Sequence, residues 1–396
     1  MIKPGTQICN ICGRTSAGLF YGTGESAERV ARLIWDPNAK VFSLVPAKEG
    51  DKTFFTLQDP DSIHQNEHLP SSINARIGSA ANHTALKRCC PHCGTPFTCD
   101  LIGLVPCYII AVMGAPNAGK TSYLGALATA ALGPVSQQKK YPYCILPVEI
   151  AHTVEGIGAT PLGASESNKT NFFQIIDKES KEVAALVYLL DYGGELYSKK
   201  YSEKDTPVNR FLFADCGKGY TGIDALIVIE PSVSTEKMRA ASENLLPILS
   251  NIRGAEGQDY PIAHVMTFGD HLILQESRKP LNDPEPPLLT AKTFPATVYT
   301  KDAAQSLVRH FTPEAIADRF HLQQFIARKI LHDKPLGLQL AYYHGNQTRH
   351  FIVRSCDQVV SDIAHNDYTK QFNVVDPFIW LLRELKLFPL GSENGG

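Results

Sequence analysis

The chain has 396 residues, 43% hydrophobic and 20% charged, which suits a large α/β domain with a smaller module attached. A formal net charge of −2 excludes a global pull toward nucleic acid or anionic membrane. The longest apolar stretch, residues 101–113, is too short to span a bilayer and contains Pro106; the N-terminus lacks a signal-peptide layout, so a cytoplasmic protein is expected.

The first motif is Cys9-Asn-Ile-Cys12-Gly13, and its counterpart is Cys90-Pro-His-Cys93-Gly94. In each, the glycine after the second cysteine lets the backbone turn so that both thiolates face one metal. Ten cysteines in a long chain, several in C-x-x-C pairs, favour zinc over a disulfide framework. Cys9, Cys12, Cys90 and Cys93 would close a tetrahedral, structural Zn²⁺ site, with Cys89 and His92 as spare candidates. Residues 1–100 are therefore expected to form a zinc-ribbon-like module carrying an inserted segment, 14–88. That segment holds strand-like pieces at 40–46 and 53–57 and a helical piece at 26–34. Cys99, Cys107, Cys144, Cys216 and Cys356 have the look of small core residues.

Residues 108–113 are apolar and β-branched, as in a buried parallel strand, and lead into Gly114-Ala-Pro-Asn117-Ala118-Gly119-Lys120-Thr121. This is a complete G-x-x-x-x-G-K-T loop, and residues 122–131 after it read as a helix stopped by Gly133-Pro134. Strand, glycine loop and helix in that order let bare N–H groups and a helix N-terminus surround a polyphosphate. Gly114, Asn117, Ala118, Gly119 and Ser122 would line it. Lys120 would reach the β- and γ-phosphates, and the Thr121 hydroxyl would ligate Mg²⁺.

Downstream, Thr160 lies in a glycine-rich segment and Thr170 just ahead of a strand at 171–176; either fits a threonine that closes on Mg²⁺ and the attacking water. A second buried strand, 183–190, ends in Asp191-Tyr-Gly-Gly194-Glu195. Asp191 is placed to hold Mg²⁺ through water, and the Gly194 N–H to meet the γ-phosphate. Glu195 stands where a water-orienting residue would act; equally, it reads as a helix starter paired with Lys199. No arginine finger stands out, Arg210 being available but unsupported, so hydrolysis is expected to need a protein partner or activator.

A strand at 224–231 leads to a helix at 235–250, and a strand at 261–266 ends in Thr267-Phe268-Gly-Asp270. In GTPases an aspartate at this place in the chain order accepts two hydrogen bonds from guanine, which adenine cannot supply; Asp270 resembles it, and can also be a turn aspartate capping a helix at His271. Thr267 and Phe268 would flank the base, Phe268 covering it by stacking. Residues 272–345 form a long insertion with a proline-rich loop and a helix at 313–331, whose Ile316, Phe320, Phe325 and Ile326 offer a face for core or partner. The next strand, 349–354, precedes Ser355-Cys356, which by resemblance to the base-contacting Ser-Ala of GTPases is a further candidate. Asp376 and Pro377 read as N-cap and first residue of a helix with an apolar stripe through Phe378, Ile379, Leu381, Leu382 and Leu385, and residues 391–396 read as a flexible tail.

The glycine loop, the Asp191-to-Glu195 motif, Thr267 to Asp270 and Ser355-Cys356 together resemble the translation-factor-related (TRAFAC) class of GTPases. With Cys90-Pro-His-Cys93 just upstream and 376–382 near the end, the chain is similar to bacterial "double-GTPase"-type domains over most of 85–385. Phe268 departs from the lysine usual at that place. The resemblance implies a P-loop three-layer αβα fold with a mostly parallel sheet over residues 101–390, GTP and Mg²⁺ as ligands, and a regulatory role in bacterial conflict or defence. A non-hydrolysing nucleotide-binding scaffold and an ATPase remain the alternatives.

Overall fold

The computed structural model describes residues 4, 6–9, 12–24, 27–60, 63, 70, 72–97, 99–130, 143–149, 169–191, 212, 222–232, 235–252, 259–269, 298–299, 318, 320–321, 323–324, 327, 330–354 and 371–387. The chain divides into two compact units, Met1–Tyr108 with Asp205–Gly222, and Ile109–Lys204 with Ile223–Gly396.

In the first unit, β1 (Thr6–Ile8) and β2 (Thr15–Ala17) pair antiparallel on either side of the first cysteine knuckle. Six further strands lie between the knuckles: β3 (Leu19–Gly22), β4 (Val30–Asp36), β5 (Val41–Pro46), β6 (Phe55–Leu57), β7 (Ser72–Ile77) and β8 (Thr84–Arg88). They form one antiparallel sheet in the order β5-β4-β3-β8-β7-β6. Its two edge strands, β5 and β6, approach within 8 Å between Cα atoms, so the sheet curls on itself. Alternation fixes what goes inside: along β7, Ile73 and Ala75 are buried while Asn74 and Arg76 face out. Ile73 meets Leu33, Phe42, Leu44, Phe55 and Leu86 in a single apolar core.

The helix expected at 26–34 is not formed. Only a 3₁₀ turn at Ala27–Arg29 is helical, and residues 30–36 are strand β4. Apolar side chains at 30, 33 and 34 fit a helical period, but β-branched Val30 and Ile34 and the Trp35 ring suit a pleat. Hydrogen bonding to β3 on one side and β5 on the other then decides the conformation.

The second unit contains β9 (Cys107–Gly114, its first two residues in the other unit), α1 (Lys120–Ala130), β10 (Tyr143–Glu149), β11 (Lys169–Asp177), β12 (Val183–Asp191) and β13 (Ala225–Pro231). There follow α2 (Glu236–Glu243), α3 (Leu246–Leu249), β14 (Ile262–Thr267), β15 (Val298–Tyr299), α4 (Pro335–Tyr343), β16 (Thr348–Ile352), β17 (Gln371–Phe372) and α5 (Asp376–Glu384). Seven strands make a sheet in the order β10-β11-β12-β9-β13-β14-β16, and β15 pairs with β17 separately. The sheet is mixed. β9, β13, β14 and β16 run parallel, whereas β11 is antiparallel to both of its neighbours, β10 and β12. A mostly parallel sheet therefore describes the half that carries the glycine loop. The hairpin between β11 and β12 is tight because Asp177 Oδ1 accepts from the N–H groups of Glu179 and Ser180, at 2.8 and 2.9 Å.

β13 and β14 are buried along their whole length, as strands covered on both faces must be. The single helix expected at 235–250 is two: Thr235 caps α2 by accepting from Met238 N–H at 3.3 Å, and Pro247 opens α3. α5 is buried nearly all round, with Phe378 against Phe173 of β11 at 5.3 Å between ring centroids and Trp380 against Phe351 of β16 at 5.8 Å. Its N-cap is Val375; Asp376, expected as the cap, sits in the first turn. Among the described residues no helix is long and apolar enough to cross a membrane.

Candidate functional site

The glycine loop closes where β9 meets β13. Register pairs Gly114 with Ile229, and a Cβ on Gly114 would stand 2.6 Å from the Ile229 carbonyl oxygen. Only glycine allows that approach, and it brings the loop directly onto the sheet. Asn117 (φ 63°) and Gly119 (φ 85°) both turn left-handed, and the Ala118 N–H closes the turn onto the Ala115 carbonyl at 3.1 Å. Successive turns of this kind gather backbone N–H groups into an anion-binding concavity. Lys120, the first residue of α1, is buried and lays its ammonium back across the loop, donating to the carbonyls of Gly114 at 2.8 Å and Ala115 at 3.3 Å. Thr121 and Ser122 follow in the first helical turn, half-buried.

β14 ends at the same edge of the sheet. Thr267, expected to flank a base, is buried and donates its hydroxyl to the Ala118 carbonyl at 2.7 Å. Gly119 presses on it: a Cβ there would stand 3.3 Å from Thr267 Oγ1. The hydroxyl is thus committed to the phosphate loop. Phe268 follows with φ 57°, unusual for a bulky residue, and its backbone is tied on both sides. Ser232 donates its hydroxyl to the Phe268 carbonyl and its N–H to the Thr267 carbonyl, both at 2.8 Å, and Gly269 N–H donates to Val353 O at 3.0 Å. Ser232 was not singled out from sequence; it lies 36 residues from its partner Phe268, with no motif to mark it.

β12 lies immediately beside β9 in the sheet, and Asp191 is its last residue. Thr170 is the second residue of β11, opposite Leu190, inside the strand that it was expected to precede. Thr160, Gly194, Glu195, Arg210, Asp270, Ser355 and Cys356 lie outside the described residues.

The four cysteines of the two knuckles do come together. Their Sγ atoms all lie within 4.8 Å of one another, with Cys9 to Cys93 and Cys12 to Cys90 at 3.6 Å. Tetrahedral Zn–S bonds of about 2.3 Å require S···S separations of about 3.8 Å, so the set fits zinc. The knuckles repeat one geometry: Gly13 N–H donates to Cys9 O at 2.9 Å, Gly94 N–H to Cys90 O at 2.8 Å, and both glycines have φ near 70° (70° and 76°). Backbone N–H groups of Cys12 and His92 point at the sulfurs of Cys9 and Cys90, each at 3.4 Å. The thiols share protons. Hydrogen bonds from Cys9 and Cys90 draw Cys12 down to about 7, and those from Cys12 and Cys9 lower Cys93. Cys9 and Cys90 are pushed up, Cys12 being the main partner of each.

The spare candidates have other roles. Cys89 is a core residue beside Phe20 and Val30, its thiol pushed up to about 12 by burial. The His92 ring turns to Ser16 Oγ at 2.9 Å and to the Thr15 carbonyl at 3.3 Å. Cys99 and Cys107 are buried, as expected of core residues, and Cys144 is half-buried; Cys216 and Cys356 lie outside the described residues.

No protein-family model matches the chain, and no curated protein matches it. Among solved structures, the G domain of the FeoB iron transporter of T. maritima is 21% identical over 42% of this chain and 74% of that one, with a TM-score of 0.21. The Arl6 (BBS3) small GTPase from Trypanosoma brucei, with bound nucleotide analogue GppNp, is 13% identical over 71% of this chain and 98% of that one, with a TM-score of 0.28. Scores that low carry no weight for the site, and the functional reading rests on the residues.

Proposed function

We propose that this chain is a Mg²⁺-dependent GTP-binding and GTP-hydrolysing switch with a structural zinc centre. The observation that carries the reading is the run β9, glycine loop, α1, with its left-handed turns at Asn117 and Gly119 and the Lys120 ammonium folded across them. That arrangement takes a polyphosphate on backbone N–H groups and clamps it with a cation. Thr121 and Asp191 would hold Mg²⁺, which when bound neutralises charge on the β- and γ-phosphates. Lys120 would bind and orient the γ-phosphate. Gly194 and one of Thr160 or Thr170 would close over it, and Glu195 would orient the water or take its proton. Phe268 would cover the base and Asp270 would read it, with Ser355 and Cys356 at its edge. Cys9, Cys12, Cys90 and Cys93 would hold Zn²⁺ as a closed, structural site.

By the resemblance of its motifs, the setting is a cytoplasmic regulatory step in bacterial conflict or defence, with turnover stimulated by a protein partner. Calorimetry with Mg²⁺-GTP, followed by competition with ATP and assay of phosphate release, tests the proposal. Selective GTP uptake with turnover supports it. Equal displacement by ATP moves the chain to the adenine class, binding without turnover makes it a scaffold, and absence of any purine triphosphate binding overturns the whole reading.

A further inference from the structure

Behind the edge that carries Thr267 lies a buried chain of three ionisable side chains, one from each of three adjacent strands. Glu230 of β13, His264 of β14 and His350 of β16 are each at most 3% exposed. Glu230 faces three donors: Leu336 N–H to Oε1 at 3.3 Å, Gly337 N–H to Oε2 at 3.0 Å, and His264 Nε2 to Oε2 at 3.0 Å. The first two are first-turn N–H groups of α4, so the carboxylate serves as that helix's N-terminal cap from across the core, in place of Lys334, whose side chain makes no cap bond. Gly337 is needed there, since a Cβ would stand 2.7 Å from His264 Cε1 and 2.5 Å from Leu331 Cδ2.

The far side of the His264 ring settles how many protons the chain can hold. His264 Nδ1 and His350 Nδ1 are 3.0 Å apart, in edge-on rings at 82°. One hydrogen fits between two nitrogens at that distance, donated by either ring. With Nε2–H of His264 given to Glu230, the contact exists in two forms. In one, His350 donates to a neutral His264; in the other, an imidazolium His264 donates to His350. A second charge on the pair, with both rings imidazolium, would set two N–H hydrogens head to head, two like charges in contact, and the rings must part. Of the other charged groups on packed elements, Lys334 is the buried cation at the start of α4, Asp376 of α5 accepts from Gln323 Nε2 at 2.8 Å, and His332 and His321 are exposed.

We infer that the Glu230–His264–His350 chain is a proton-operated latch on α4: with one hydrogen between the two rings the helix is seated on Glu230, and acidification that doubly protonates the pair unseats it. The open form binds more protons than the closed form, so falling pH favours opening. This device is independent of the nucleotide proposal, because it needs only the three side chains and α4.

Hydrogen exchange of the full chain tests it, followed at the Leu336 and Gly337 amides from about pH 8 to about pH 4.5, a span carried below the ordinary histidine range because the second charge must join a ring pair that already holds one. With exchange corrected for its intrinsic rate, protection at both amides should fall, by about tenfold per pH unit where one extra proton is taken up. His350→Phe keeps a ring against His264 but cannot carry the second proton, and its α4 protection should be flat over the same span. Imidazole ¹⁵N spectra of the unaltered protein give a second readout that needs no variant: a single shared hydrogen at high pH and doubly protonated rings in the acid form. Unchanged protection in the unaltered protein, an acid response retained in His350→Phe, or imidazole signals that never change with pH would each overturn the latch.

Discussion

The Thr267 hydroxyl donates to the Ala118 carbonyl at 2.7 Å, across 149 residues of sequence, and ties the end of β14 to the turn that precedes Lys120. Both partners are buried, so the carbonyl has no water to fall back on. Thr267→Val keeps the shape and removes the donor, leaving a buried acceptor unsatisfied at a cost of about 1–3 kcal/mol. Part of that cost should appear as weakened nucleotide binding, about fivefold or more, measured by titration calorimetry. Thr267→Ser should restore most of it. An unchanged affinity in Thr267→Val would show that the loop holds its form without this bond.

Lys120→Ala should abolish nucleotide binding while leaving the fold in place. The ammonium donates to the buried carbonyls of Gly114 and Ala115, so its removal leaves those acceptors unsatisfied and costs about 1–3 kcal/mol of stability without dismantling the sheet. Circular dichroism should stay close to that of the parent protein with a lower melting temperature, and binding of a fluorescent guanine nucleotide should disappear. Binding that survives would place the phosphates elsewhere.

The two loop glycines differ in what a methyl group would strike. On Gly114 it meets the Ile229 carbonyl oxygen at 2.6 Å, in a strand fixed by β9 and β14 and unable to retreat. Gly114→Ala should therefore displace the loop from the sheet, costing about 1–3 kcal/mol in stability as well as nucleotide affinity. Parallel melting and binding measurements would register both losses; loss of neither contradicts the close approach.

The glycine loop was legible because a single short segment carries it, and β9, β12, β13 and β14 followed from apolar runs that end within a residue or two of the observed strands. The residues at 26–34 misled because a helical and a pleated pattern share the same apolar spacing, and only long-range pairing with β3 and β5 separates them. Phe320, read as part of a face open to core or partner, is buried against Phe351 at 5.7 Å between ring centroids. Glu230, His264 and His350 gave no local sign. Their partners lie 34 and 86 residues away, and a lone histidine in an apolar strand looks the same whether it is paired or not.

Zinc content discriminates among neighbouring cysteines. Cys12→Ser and Cys93→Ser should each lose the metal, because each removes one of four convergent sulfurs. Cys89→Ser, one residue from a ligand, should keep about one Zn²⁺ per chain, since its thiol lies in the core beside Phe20. Elemental analysis after gel filtration reads all three. Loss of metal from Cys89→Ser but not from Cys93→Ser would reverse the assignment.

Among the described residues β16 is the outermost strand of the parallel half, yet its His350 and Ile352 N–H groups are paired. Gln324 Oε1 accepts from His350 N–H at 2.9 Å and Gln323 Oε1 from Ile352 N–H at 3.1 Å, while Gln323 Nε2 donates to Asp376 at 2.8 Å. Two side chains thus stand in for the strand that would otherwise pair there, which blunts an edge prone to self-association. Gln323→Leu removes an acceptor from one buried group and a donor from another, and should cost about 2–4 kcal/mol; Gln324→Leu orphans a single N–H and should cost about 1–2 kcal/mol. Denaturant melts should rank the variants in that order. Light scattering should then show Gln323→Leu associating at concentrations where the parent chain does not, and equal stability of the two variants would mean that Asp376 finds another donor.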